Sequence, residues 1–414
     1  MFNMHKILIT VYDMEIGGIE RSLINMLESF DYDNYEVDLF ICSHSGDFLS
    51  LIPEKVNVLP QIASYTVFRK SMLQCLREGH FSALCVRLLS KAIAGVKAKI
   101  RKLKEGSGYI QMQLNLKYAT YVLPKFKKKY DLAISYAWPH DIVANKVVAA
   151  KKIAWIHTDY SELEIDNEID WAVWNKFDAI ASISEAVTEA FVKTYPSLHN
   201  KIKLIENITS PGFIKKIADE QCLLDESYQD SYNIVSVGRL SYVKGFDLAV
   251  KALRILHDKG LTQIKWFIVG YGGYEAELKQ QILENKLEDS FILLGKQINP
   301  YPFIRGCDLY VQPSRYEGKA VTVTEAQILG KPILLTNYPT AKSQIEDGVD
   351  GVICGLSVEG LVDGIESLYR NSDLRNDLSY NCLQTSYSNT SELNKLYNIV
   401  NVPEQNYVLK EVRV

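Results

Sequence analysis

PSRYEGKAVTVTEAQILGKPILL, Pro313 to Leu335, leaves a short apolar strand (Asp308 to Val311), turns through a tight loop and enters a helix that begins near Ala320. A helix start leaves the backbone N–H groups of Lys319, Ala320, Val321 and Thr322 without intrahelical partners, so they are available to an anion. Glu317 in the loop and Glu325 inside the helix, with seven residues between them, flank that position. Carboxylates accept hydrogen bonds from hydroxyls, so a ligand with ribose and hexose hydroxyls on either side of a diphosphate satisfies the whole arrangement. Taken alone, the two residues read as an ordinary turn Glu and a solvated helix Glu. Their surroundings change that weighting.

Strands at Asn233 to Val237, Lys265 to Val269, Phe291 to Leu294, Leu309 to Val311 and Pro332 to Leu335 alternate with helices near Phe246 to Lys259, Tyr274 to Asn285, Pro302 to Arg305, Ala320 to Leu329 and Ala341 to Glu346. That alternation predicts an α/β fold with a parallel sheet covered on both faces. Four of the strands run into Gly238, Gly270, Gly295 or Pro313, and open parallel sheets bind ligands beyond the carboxyl ends of their strands. The segment VSVGRLSYVKG carries Arg239 and Lys244 in the loop before the next helix. A guanidinium and an ammonium beside a helix start clamp a diphosphate, at about 1.5 to 3 kcal/mol per charge-assisted hydrogen bond. Pairing with surface acids is the structural alternative for both cations.

The first half alternates likewise: strands at Lys6 to Val11, Glu36 to Cys42, Leu132 to Ser135, Ile153 to Ile156 and Ala179 to Ser182, with a helix from about Ile19 to Ser29. Gly17 and Gly18, between the first strand and its helix, let a backbone approach a ligand or simply form a tight turn. A dinucleotide fingerprint needs fuller GxGxxG spacing and an acid after the next strand; that strand ends Phe40, Ile41, Cys42, Ser43, so a dehydrogenase is excluded. His157 follows directly after an apolar strand in KIAWIHTDYSEL, at the carboxyl edge of the first sheet, where it is placed to hydrogen-bond a donor hydroxyl or a developing charge, with Asp159 near to orient it. The plain alternative is a buried structural histidine.

The chain has 414 residues, enough for two cores. Residues 1–209 are expected as the first domain, 210–232 as a linker, 233–386 as the second domain, and 387–414 as a helix and tail crossing back to the first. Seven cysteines and seven histidines lack metal-ligand spacing, so neither a metal nor a cofactor is expected. No apolar run reaches the roughly 20 residues that cross a bilayer, and the N-terminus enters a strand without a signal peptide; a cytoplasmic protein is expected. Between Gln61 and Tyr130 stand fifteen Lys and Arg against two acids, within a chain of net charge −4. There, Phe81 to Lys104 places Leu84, Leu88, Leu89, Ala92, Ile93, Val96, Ile100 and Leu103 at helical spacing, with Arg87, Lys91, Lys97, Arg101, Lys102 and Lys104 on other faces. Such a helix either meets an anionic membrane surface, making the protein peripheral on the inner leaflet, or presents a solvated face. Nucleic acid is not expected, because stacking aromatics and reader motifs are missing.

The second half resembles the donor domain of glycosyltransferase family 4, retaining enzymes of the GT-B architecture, through GRLSYVKG, VGYGGYEAEL, LLGK, PSRYEGKAVTVTEA and LGKPIL in order, over roughly Asn233 to Cys354. The first half is similar through GGIE, WIHTD and IEN. The resemblance implies two Rossmann-like domains whose parallel sheets face across a cleft. It also implies that Arg239 and Lys244 hold the diphosphate, Glu325 the ribose hydroxyls, Glu317 the transferred sugar, Gly18 the phosphate from the opposite domain, and His157 the sugar hydroxyls near the reacting carbon. Lys319 and Ala320 stand where many relatives have an aromatic and a glycine. The expected activity is transfer of a hexose from a nucleoside diphosphate sugar, UDP-linked, to a glycan or lipid-linked acceptor with retention of configuration, as in bacterial surface polysaccharide or capsule synthesis. Domain closure is expected to exclude water. A nucleotide-sugar epimerase, a sugar phosphorylase or a non-catalytic sugar-nucleotide sensor on the same architecture are the alternatives.

Overall fold

The computed structural model describes residues 4–101, 107–158, 160, 163–220, 228, 230–318 and 320–401, with backbone only at 101 and 401. Lys319, Asp159, Lys102, Lys104 and the tail beyond 401 lie outside the described residues. The chain divides into two units, one built from residues up to Ile208 and from Asn389 onward, the other from Thr209–Ser388.

The first unit holds a seven-stranded sheet of β1 (His5–Val11), β2 (Tyr35–Ile41), β3 (Asn57–Val58), β4 (Lys129–Ser135), β5 (Val148–Ile156), β6 (Ala179–Ser182) and β7 (Ile202–Leu204), in the order β3-β2-β1-β4-β5-β6-β7. All pairings are parallel. Ile7, Leu8 and Ile9 of β1 are consecutive and fully buried, as in a strand covered on both faces rather than one. The strand order reverses between β1 and β4, which opens a crevice at their carboxyl ends. Helix Glu392–Asn401 belongs to this unit: the Tyr397 ring stacks on Tyr35 at 4.4 Å, its hydroxyl accepts the Asp31 N–H at 2.9 Å, and Glu392 accepts the Glu206 N–H at 2.9 Å.

The second unit holds β8 (Tyr232–Val237), β9 (Ile264–Val269), β10 (Phe291–Gly295), β11 (Leu309–Gln312), β12 (Ile333–Thr336) and β13 (Val352–Cys354), ordered β10-β9-β8-β11-β12-β13 and all parallel. Its reversal falls between β8 and β11, the strands that precede the Arg239 loop and the Glu317 loop. Apolar residues of the covering helices, Phe246, Val250 and Leu253 on one and Leu361 and Ile365 on another, pack on one face. Ile304, Val323 and Ala326 pack on the opposite face.

Several local expectations change. The interval expected as a linker contains helix Pro211–Ala218, with Phe213, Ile214 and Ala218 buried; residues 221–227 and 229 lie outside the described residues. Pro211 suits a first helical turn, where its missing N–H costs nothing. Ala341–Ser343 is a single 3₁₀ turn, not the helix expected through Glu346. In the basic region, helix Phe81–Arg101 forms as expected and packs on an unanticipated helix, Gly108–Val122. Phe81, Leu88, Leu89, Val96 and Ile100 of the first helix face outward, with Ile100 75% exposed, while Ala94 is buried. Arg87 turns inward to the carbonyls of Val67, Phe68 and Lys70, and Lys97 pairs with the buried Asp166 at 2.5 Å. Lys91 and Lys99 are exposed.

Candidate active site

At the reversal of the second sheet two loops are pressed together by backbone contact. Gly245 sits at φ +69°, and a Cβ there would lie 1.9 Å from the Pro313 carbonyl oxygen, so only glycine lets the end of the Arg239–Lys244 loop meet the start of the Glu317 loop. The Arg315 N–H donates to the Val243 carbonyl at 2.8 Å. The Arg315 guanidinium grips both Asp247 oxygens at 2.7 and 2.6 Å, donates to the Tyr242 carbonyl at 2.6 Å and lies 3.9 Å from the Tyr242 ring centre. Bidentate pairing fixes orientation as well as distance, and it raises the Arg315 pKa further.

Glu317 is nearly buried and accepts from Lys244 Nζ at 2.5 Å, Ser314 Oγ at 2.6 Å and Gln312 Nε2 at 3.0 Å. Lys244 therefore does pair with an acid, and the acid is the other predicted site residue. Arg239, five residues before Lys244 in the same loop, is exposed. Helix Val321–Ile328 follows, and its N-cap residue Ala320 offers no capping side chain. Ser, Thr, Asp or Asn at such a position ordinarily adds about 1 kcal/mol; here the first N–H donors are left uncapped. Val321 is exposed at that end. Glu325, one turn into the helix, is fully buried and accepts the Tyr301 hydroxyl at 2.8 Å. Along the same edge the Gly238 N–H donates to Val269 and the Gly270 N–H to Gly295, at 3.0 and 2.9 Å. A Cβ at Gly270 would come within 1.9 Å of the Gly238 carbonyl oxygen, and Gly295 ends β10 at φ +69°. Gly238, Arg239, Lys244, Gly295, Glu317, Ala320, Val321 and Glu325 thus share the carboxyl edge of one sheet.

Gly18 and His157 belong to the other unit. Gly18 opens helix Gly18–Glu28, and a Cβ on it would meet nothing within 4 Å. The Glu20 carboxyl turns back onto its own backbone N–H in the first turn, and burial raises its pKa. This helix start already holds a carboxyl group. His157 follows β5, its ring 4.9 Å from the Tyr136 ring, and a hydrogen bond to the Tyr136 backbone orients it. Burial pushes its pKa down to about 4, so the ring is neutral at pH 7. Its Nε2 is buried and has no hydrogen-bond partner among the described residues. It borders a cavity of about 230 Å³ with Trp138, His140, Trp155, Tyr160 and Trp174. His140 sits 2.8 Å from Ser135 Oγ, with its pKa lowered to about 3 by burial and by His157, while burial raises Asp141 to about 7.

Residues 225–384 match the model of glycosyl transferases group 1. Among curated relatives, the chain is 27% identical over 205 residues to the N-acetylgalactosamine-N,N'-diacetylbacillosaminyl-diphospho-undecaprenol 4-alpha-N-acetylgalactosaminyltransferase of Campylobacter jejuni, covering 49% of this chain and 54% of that protein. It is 24% identical over 209 residues to the capsular polysaccharide biosynthesis glycosyltransferase CapM of Staphylococcus aureus, covering 49% and 55%. The chain spans about a third to a half of the length of the first curated relatives it matches. Among solved structures, Anabaena HepE in complex with UDP-glucose superposes with a TM-score of 0.62 at 18% identity, over 96% of this chain and 99% of that one. The fold is GT-B, with two Rossmann-like units.

Arg315, Asp247, Ser314, Gln312 and Tyr301 escaped the sequence reading. Arg315 and Ser314 lie inside the opening stretch, and their adjacency to Glu317 was the available signal; Asp247 and Tyr301 are brought in only by the fold.

Proposed function

We propose that the protein is a glycosyltransferase that moves a hexose from a UDP-sugar to a glycan or lipid-linked acceptor with retention of configuration, in bacterial surface polysaccharide synthesis. The observation that carries this reading is the junction of the Arg239–Lys244 loop with the Glu317 loop and the uncapped helix start, at the reversal point of the second sheet. The group 1 match over that unit and the names of the relatives support it; nothing in them favours an epimerase, a phosphorylase or a sensor.

Breaking the bond from the sugar's anomeric carbon to the diphosphate oxygen leaves negative charge on the diphosphate. Arg239, Lys244 and the N–H groups at the helix start meet that charge. Because these groups supply the stabilisation that a divalent ion gives elsewhere, transfer is metal-independent and needs no cofactor in this reading. The acceptor hydroxyl forms the new bond to the anomeric carbon, and its proton passes to the leaving diphosphate oxygen. Glu317, held by Ser314, Gln312 and Lys244, orients the sugar hydroxyls. Glu325 exchanges its Tyr301 contact for the ribose hydroxyls. Gly18 leaves room for a donor phosphate once the Glu20 carboxyl swings away from the helix start. His157, neutral, accepts a hydrogen bond from a substrate hydroxyl through Nε2.

We also assign an anionic membrane surface as the partner of helix Phe81–Arg101, which places the protein at the cytoplasmic face. Its outward Phe81, Leu88, Leu89, Val96 and Ile100, beside Lys91 and Lys99, support that assignment. Among the described residues no helix is long and apolar enough to cross a membrane.

Incubation with a panel of radiolabelled UDP-sugars tests the reading: transfer or slow donor hydrolysis is expected. Interconversion of sugars, or binding without turnover, contradicts it.

A further inference from the structure

A cleft of about 660 Å³ in the first unit is lined by Lys97, Lys117, Lys125, Lys146 and Lys176, against the carboxyl groups of Asp141 and Glu168. Lys97 is matched by Asp166. Among the described residues the other four ammonium groups form no ion pair within 4 Å; Lys176 donates to the neutral Asn145 Oδ1 at 2.5 Å and lies near enough to Asp141 to act on its charge. Lys146 is only 7% exposed and its side chain has no hydrogen-bond partner among the described residues. Burial, and then the charge of Lys125, pushes its pKa below the usual lysine range. The like charge of Lys125 disfavours that ammonium's charged form, and an anion in the cleft offsets this.

We propose that this cleft is a binding site for a diphosphate group. Lysines present compact charges with freely turning donors, which suit a multiply charged group with several oxygens, whereas a single planar carboxylate is better matched by an arginine fork. The cleft shares Asp141, Ile169 and Val173 with the aromatic cavity beside His157, so the two are neighbours within the first unit. That the diphosphate belongs to the acceptor rests on the transferase reading; binding at the cleft does not.

The test is calorimetric titration of inorganic pyrophosphate into the full chain carrying Arg239→Ala and Lys244→Ala, which removes the candidate donor clamp. Binding should persist there and weaken about ten-fold or more when Lys117→Ala, Lys125→Ala and Lys176→Ala are added. All three are exposed, so the fold is not at risk. On the unmodified background the triple variant should keep its affinity for UDP. Sedimentation with zwitterionic vesicles, with and without a polyprenyl diphosphate, separates the sources: lysine-dependent capture by doped vesicles identifies a lipid-borne group, and lysine-dependent binding of pyrophosphate alone identifies a soluble one. Lysine-independent binding, or no binding to either probe, overturns the proposal. If instead Arg239→Ala with Lys244→Ala leaves UDP affinity intact, the donor assignment fails while the cleft stands.

Discussion

Helix Gly18–Glu28 after β1 and helix Val321–Ile328 after β11 both start beside the reversal point of a parallel sheet, and both sheets follow the same strand order through their first six members. At the first, the Glu20 carboxyl occupies the opening turn and nearby Arg69 is paired with Asp13. At the second the helix start is uncapped, Arg239 is exposed, and Lys244 is held against Glu317. Topology supplies a crevice in each unit; the loop residues decide whether it accepts an anion. The first edge instead gathers aromatic rings and two neutral histidines around a small cavity, chemistry for an uncharged group.

The sharpest way to break this contrast is Glu317→Gln, which keeps the shape and removes the charge. Transfer should fall about 10²- to 10³-fold with UDP affinity nearly unchanged, measured by steady-state kinetics and calorimetry; unchanged turnover contradicts its assigned place.

The first edge makes an opposite prediction, about pH. Folding lowers the pKa of His157 from 6.5 to about 4, so its contribution to stability is complete above pH 6.5 and is lost as pH falls toward 4, by about 3 kcal/mol across that window. His140 acts in the same direction. Asp141, raised from 3.8 to about 7, opposes them: its contribution is present below pH 3.8 and is lost as pH rises through 7. Denaturant melts at several pH values should therefore show a shallower acid limb for His157→Gln, and for Asp141→Asn a gain larger at pH 8 than at pH 5.

Arg315→Met probes the clamp without touching its cations. Losing the bidentate grip on Asp247 should lower stability by about 2 kcal/mol and weaken UDP binding, and Arg315→Lys should restore little, because one ammonium cannot replace the fork. The smallest effect belongs to Lys91→Gln, which should weaken sedimentation with anionic vesicles about five-fold, at about 1 kcal/mol for the one charge removed. Equal sedimentation leaves that helix a solvated face.

Much of the second unit was legible in the sequence because its signals are local. Mostly apolar strands of four to six residues run to Gly238, Gly270, Gly295 or Pro313, and the loop and helix carrying Glu317 and Glu325 are contiguous. The Lys244 contact with Glu317 was not legible, since it joins residues 73 apart through neighbouring strands. Nor was Asp247 as the partner of Arg315. In the first unit β3 has two residues, both exposed, so it leaves no apolar run to read. Helix Pro211–Ala218 hid in a polar interval because its burial involves only Phe213, Ile214 and Ala218. For His157 the strand-end position was readable, but its orientation comes from the Tyr136 backbone, which no side-chain pattern announces.

Titration of UDP into the unmodified protein and into the Arg239→Ala, Lys244→Ala variant tests the central claim most directly. The charged edge of the second sheet should give saturable binding that the double substitution weakens by about 100-fold or more, the loss of two charge-assisted contacts. Equal affinity in the two proteins contradicts it.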